Sequence, residues 1–266
     1  MKRSRATVGR PPTPLLVLAL LGLAFFVIPL LGLLVRVPWS ELPTLLKSAV
    51  VVDAMRISAI ASISATVISL VLGIPLAWLL ARVEFPGRSI VRGIVTLPLV
   101  LPPVVGGAAL LFALGRRGLV GEPLYEASGL LLPFSMGGVI IATTFVAMPF
   151  LVITVEGALR NMDQRYEGAA ATLGARRWTV MRRVTLPMIA PSLIAGLVLT
   201  WARAFGEFGA TITFAGNLQG RTQTLPLAVF VALESDRDTA VAISLIMIVV
   251  SLAVIVALRD RWTRAL

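Results

Sequence analysis

Apolar residues along this chain neither alternate with the period of a strand nor confine themselves to one face of a helix. They come in long unbroken runs, and Arg and Lys gather in the stretches between. A helix crossing a hydrocarbon core about 30 Å thick at 1.5 Å per residue needs about 20 such residues. Six segments qualify, over residues 14–35, 54–80, 90–114, 136–158, 190–210 and 239–258. The pattern predicts an all-α integral membrane protein with one transmembrane domain at 14–258, a short tail at 1–13 and another at 259–266. The first run follows Lys2, Arg3, Arg5 and Arg10, as a signal peptide would. From Leu15 to Val35 it exceeds the apolar core of about 7–15 residues expected of such a peptide, so it is read as a retained span.

Composition supports a bilayer as solvent. Of 266 residues 58% are hydrophobic and only 14% charged, with mean hydropathy +0.94, more apolar surface than one soluble core can hide. The net charge of +11 would suggest nucleic acid in a soluble protein, but its placement is topogenic. Sixteen Lys and Arg lie in the N-terminal tail, the second and fourth connections and the C-terminal tail; seven lie in the alternate connections. By the positive-inside rule both termini face the cytoplasm, as a multi-pass protein of the cell membrane, with Trp39 and Trp262 as interfacial anchors and no role for nucleic acid. With no Cys and no His, thiol nucleophiles, imidazole bases and the usual zinc or haem ligands are excluded.

The connection at 159–189 is long enough for structure of its own. Gln164 to Leu173 are good helix formers apart from Gly168, and Gly174 suits the left-handed residue that ends a helix. The segment reads Glu167, Gly168, Ala169, Ala170, three residues, Gly174, nine residues, then Val184, Thr185, Leu186, Pro187. It resembles the EAA loop of permeases in ATP-binding-cassette (ABC) importers, which has the form E-A-A, three residues, G, nine residues, I-x-L-P. The first motif position is Gly168 here, and the acidic residue stands one place earlier. The resemblance extends from the second span onward. The run Gly206-Glu207-Phe208-Gly209-Ala210-Thr211, followed by Thr224-Leu225-Pro226-Leu227-Ala228, is similar to the molybdate permeases and more loosely to those for sulfate and thiosulfate.

That resemblance implies a type I ABC importer permease. It would be a homodimer embedded in membrane lipid, coupled through Glu167, Gly168, Ala169, Ala170, Leu173, Gly174, Leu186 and Pro187 to a cytoplasmic ABC ATPase dimer, and served by an extracytoplasmic molybdate-binding protein. The substrate expected is molybdate, with tungstate close in chemistry and sulfate the competing reading. No G-x-x-x-x-G-K-[ST] occurs, so the chain is expected to carry no cofactor, and ATP and Mg belong to the partner ATPase.

A doubly charged oxyanion cannot enter hydrocarbon bare. Backbone N–H groups at broken helices and hydroxyls are the donors a path can offer. The third span crowds Thr96, Pro98, Pro102, Pro103, Gly106 and Gly107 into twelve residues, which predicts a broken or kinked helix, either lining the path or absorbed by its neighbours. Arg203 and Glu207 stand four apart on one helix face, as a gate element or a structural ion pair; Thr211 follows them. Asn217, Arg221 and Thr222 fall in a polar stretch on the far side, where the resemblance puts receptor docking and a plain solvated loop is the alternative. A passive channel would not need the 159–189 loop, and an intramembrane enzyme would need a catalytic set that the chain does not offer.

Overall fold

The computed structural model describes residues 12–262, with side chains through residue 257. The expected tails over 1–11 and 263–266 and the anchoring role expected of the Trp262 side chain lie outside the described residues. Thirteen helices follow in order: α1 (Thr13–Val35), α2 (Leu42–Leu45), α3 (Ala49–Arg82), α4 (Arg88–Thr96), α5 (Pro103–Leu114), α6 (Gly121–Ser128), α7 (Met136–Asn161), α8 (Arg165–Thr172), α9 (Arg177–Val180), α10 (Leu186–Phe205), α11 (Gly209–Phe214), α12 (Leu225–Ser235) and α13 (Arg237–Trp262). A single 3₁₀ turn, Leu97–Leu99, follows α4, and a π turn, Met181–Thr185, joins α9 to α10. Among the described residues five helices are long and apolar enough to cross a membrane, and the pair Arg88–Leu99 and Pro103–Leu114, bent by 116°, makes a sixth span if counted as one.

The bundle is built around α7, which packs on α3, α10, α5 and α11. Helix α3 approaches it along a stripe of small buried residues, Ala54, Ser58, Ala61, Ala65, Ser69, Gly73 and Ala77, spaced three or four apart as close helix contact in a bilayer requires. A Cβ on Gly73 would already touch Val152 at 3.4 Å, and one on Gly196 of α10 would press Leu151 and Thr154 at 3.1 Å. The core at this end joins Ala77 and Leu80 to Leu151, Val155, Leu159 and Ile189. Helix α1 has no buried residue and packs chiefly on α13 among the described residues, leaving its apolar sides to lipid or to another chain.

Helix boundaries differ from the hydropathy reading most at the fifth span. Its helix begins at Arg177 rather than near 190, because Arg177, Arg182 and Arg183 depress hydropathy without ending the helix. It also ends at Phe205 rather than 210, since Gly206 and Glu207 interrupt it and α11 restarts as a separate helix.

Candidate functional site

The cytoplasmic loop folds as a short helix with both ends defined. Asp163 accepts from the Arg165 N–H at 2.9 Å at the start of α8. At its end Gly174 has φ +81°; its N–H bonds the Ala171 carbonyl at 3.0 Å and that of Ala175 bonds Ala170 at 3.1 Å. This is the Schellman pairing, for which a residue without Cβ is suited at the left-handed position. The helix therefore stops where Leu173, 89% exposed, projects outward beside exposed Tyr166 and Trp178. Gly168 and Ala169 are exposed as well, and nothing stands within 4 Å of a Cβ on Gly168, so this face is open to a partner. Leu186 and Pro187 open α10 directly after the π turn Met181–Thr185, so the proline stands inside one continuous helix from Arg177 to Phe205.

Glu167 turns the other way. Its carboxylate accepts from the Thr185 hydroxyl at 2.7 Å and pairs with Arg82 Nη2 at 3.3 Å. One side chain thus ties the short helix to the end of α3 and to the π turn that leads into α10. A second knot lies alongside. Buried Glu156 of α7 receives Arg92 Nε at 3.0 Å and Nη2 at 2.6 Å, with Arg160 at 3.2 Å. Arg88 and Arg92 meanwhile donate to the Leu80 carbonyl at the C-terminal end of α3, where a helix dipole favours cations. Neither Glu156 nor Arg82 stands out in a hydropathy reading; an acidic residue inside an apolar run was the available signal for Glu156.

The prolines of the third span do break it. Thr96 spends its hydroxyl on the Arg92 carbonyl at 2.9 Å, Pro98 sits in the 3₁₀ turn, and Pro102 and Pro103 form the cap and first residue of α5. Beyond the 116° bend, α5 lies against α11 at backbone distance. A Cβ on Gly107 would meet the Ala210 carbonyl oxygen at 2.7 Å, and one on Gly209 would meet Pro103 Cβ at 2.8 Å. Gly106 faces the ring of Phe145 instead. The structure therefore brings the two glycine-marked segments, 102–107 and 206–211, into a single contact, which spacing alone does not reveal.

Arg203 and Glu207 form the expected pair, Nη1 to Oε2 2.5 Å, with the Glu207 side chain 1% exposed. The other carboxylate oxygen accepts from the Ala210 N–H at 2.7 Å. Glu207 therefore ends one helix and caps the next, and α11 starts where it does because that carboxylate is buried there. Thr211 is fully buried and its hydroxyl has no partner among the described residues. Thr222 is buried too, and its hydroxyl closes the 218–222 turn by accepting from the Leu218 N–H at 2.9 Å. That removes it from any docking face, because the turn needs the hydroxyl inside. Asn217 is half-buried and Arg221 exposed on the same side. Ser58 of α3 accepts from the Leu225 N–H at 2.7 Å, fixing the start of α12.

A model of the family described as "Binding-protein-dependent transport system inner membrane component" matches residues 69–266. The chain belongs to this family. The molybdenum transport system permease protein ModB of Mycobacterium tuberculosis is 46% identical over 91% of this chain and 92% of its own length. Its Escherichia coli namesake is 43% identical over 79% and 92%. The sulfate transport system permease protein CysT of Escherichia coli is 33% identical over 87% and 83%. The permease also shares its fold with the solved bacterial ABC transporter that imports alginate, at TM-score 0.73 and 21% identity over 94% of this chain and 93% of that one. This is the type I importer architecture.

Proposed function

We propose that this permease carries molybdate across the cytoplasmic membrane as one half of a homodimeric channel, driven by a separate ABC ATPase and loaded by an extracytoplasmic molybdate-binding protein. The observation that carries the substrate is the gap between 46% identity to the mycobacterial molybdenum permease and 33% to the sulfate permease, over nearly the same stretch of chain. The coupling reading is supported by the outward Leu173 and Gly168 face together with Glu167 tied to Arg82 and Thr185. Closure of the two ATPase subunits moves α8, and the Glu167 contacts pass that movement to α3 and α10. The junction of α5 and α11, with Arg203 and Glu207 beside it, is the element proposed to open and close the path. Asn217 and Arg221 are proposed to face the loaded receptor.

Two chains without an ATP site depend on their partners, so the test reconstitutes all of them. In proteoliposomes holding this chain, its ATPase and its binding protein, ATP-dependent molybdate uptake that resists excess sulfate is expected. Sulfate uptake that molybdate does not suppress would overturn the substrate and leave the coupling reading in place.

A further inference from the structure

Three adjoining cavities surround α9, and their chemistry changes in order. The first, about 440 Å³, is apolar and lies between Leu70, Val71, Ile74 and Pro75 of α3 and Met181 and Leu186 across from them. The second, about 400 Å³, carries Arg82, Gln164, Glu167 and Thr185 behind α8. Trp78, Arg177 and Met181 line both, so the two are continuous. The third, about 240 Å³, is bounded by Trp178, Thr179, Arg182 and Arg183.

The cations here are under-used. Arg177, Arg182 and Arg183 take part in no ion pair among the described residues. Arg82 has a side chain 9% exposed, its Nη2 meets the Glu167 carboxylate at 3.3 Å, and its Nε has no hydrogen-bond acceptor among the described residues. Glu167 answers one positive charge of the cluster at 3.3 Å, leaving the others open. Along α3 the distance from Leu70 to Trp78 is about 12 Å, most of the thickness of one leaflet, and it ends at the arginines of the basic, cytoplasmic side.

We infer that this groove holds one anionic phospholipid of the cytoplasmic leaflet, its chains against Leu70, Val71 and Ile74 and its headgroup phosphate at Arg177, the unpaired cation that lines both cavities. A free oxyanion would satisfy the arginines and leave the apolar groove empty. A zwitterionic lipid would fill the groove and leave the positive charge unanswered. An acidic face on the ATPase would reach the arginines but not a groove at the depth of the bilayer. Basic pockets beside apolar helix surfaces at this level suit anionic headgroups. Trp78 and Trp178, at the junction, belong to the residue type that favours the headgroup level. Such a lipid would be wedged between α3 and the helix that carries the coupling loop, so its occupancy would stiffen the link made by Glu167. The inference rests on the membrane orientation proposed above, but not on the identity of the transported anion.

The test uses the full chain purified in detergent without ATPase, binding protein or molybdate, and measures retained lipid by native mass spectrometry. Offered equal phosphatidylglycerol and phosphatidylcholine, the chain is expected to keep the anionic lipid about fivefold over the other, the preference expected of one arginine at the headgroup. Arg177→Gln should abolish the preference. Ile74→Trp, which fills the groove and touches no charge, should lower retention of both lipids, and Arg117→Gln on the opposite side should change nothing. Equal retention of the two lipids, or a preference that survives Arg177→Gln, would overturn the inference. Displacement by millimolar orthophosphate would overturn it in favour of a free anion. Displacement by the added ATPase subunit would assign the arginines to that protein. Because no uptake is measured, failure here and failure of the molybdate reading are separate results.

Discussion

Glu167 shows how one residue's direction decides its role. Sequence position puts it beside the first place of the coupling motif, as if to reach a partner, yet its carboxylate points back to Arg82 and Thr185. Replacing it by Gln keeps the size and part of the Thr185 contact but leaves a mostly buried guanidinium without its counter-charge. Removing a charged partner from a half-buried pair costs about 1–3 kcal/mol. Glu167→Gln should therefore lower the melting temperature by a few degrees, and should also reduce molybdate taken up per ATP hydrolysed, because the short helix loses its tie to α3. Unchanged coupling at lowered stability would mean that the tie is structural alone. The inward turn was not legible in the sequence, because it depends on Arg82, 85 positions away in a different helix. Gly174 was legible, because the left-handed stop is a local demand of the helix end. Thr222 failed for the same reason as Glu167: a polar residue in a polar stretch reads as exposed until the turn that buries it is seen.

At the scale of elements, the contact between α5 and α11 makes two substitutions diverge. Gly209→Ala places a Cβ 2.8 Å from Pro103 Cβ and 3.2 Å from the Val104 nitrogen, where a rigid ring and backbone have no room to yield. Gly106→Ala meets a rotatable Phe145 ring at 3.2 Å. Overpacking costs about 1–3 kcal/mol, so Gly209→Ala should unfold several degrees earlier than the native chain, with Gly106→Ala close to native. Equal effects would mean that the two helices separate without strain. The α12–α13 junction supplies a pH test. Asp236 caps α13, and its carboxyl lies below the usual aspartate range because the Thr239 hydroxyl donates to it, with the Thr239 and Asp238 N–H groups adding to this against a small opposing desolvation. A carboxyl lowered in the folded state stabilises above its unfolded pKa of about 3.9 and loses that contribution as pH falls through the folded value. The melting temperature lost in Asp236→Ala should accordingly be present at pH 7 and shrink below about pH 4; a constant difference would remove the charge from the account. Hydropathy read the long helices because burial in lipid needs only composition. It misplaced both ends of the fifth because one is set by arginines that a helix tolerates and the other by the Glu207 cap on Ala210.

For the whole molecule, orientation is the property on which the coupling surface, the receptor face and the lipid groove all depend. It follows from arginine placement: Arg82, Arg88, Arg92, Arg160 and the Arg176-to-Arg183 group cluster at one end, and Arg116, Arg117 and Arg221 belong to the other. The same end carries the motif loop, so two independent features agree. The chain has no cysteine, which allows a direct reading with single replacements against no background. Arg117→Cys, beyond the end of α5, and Arg183→Cys, in the π turn, are both exposed positions. In intact spheroplasts a membrane-impermeant maleimide should label Arg117→Cys at once and Arg183→Cys only after permeabilisation. The reverse pattern would put α8 outside the cell, away from any nucleotide, and would take the coupling mechanism with it. Labelling of both from outside would mean that α7, which lies between the two positions, does not cross the membrane. A bent pair at 88–114 that enters and leaves on one side would instead give the reverse pattern: the count of six falls to five, and Arg117 and α8 both change sides.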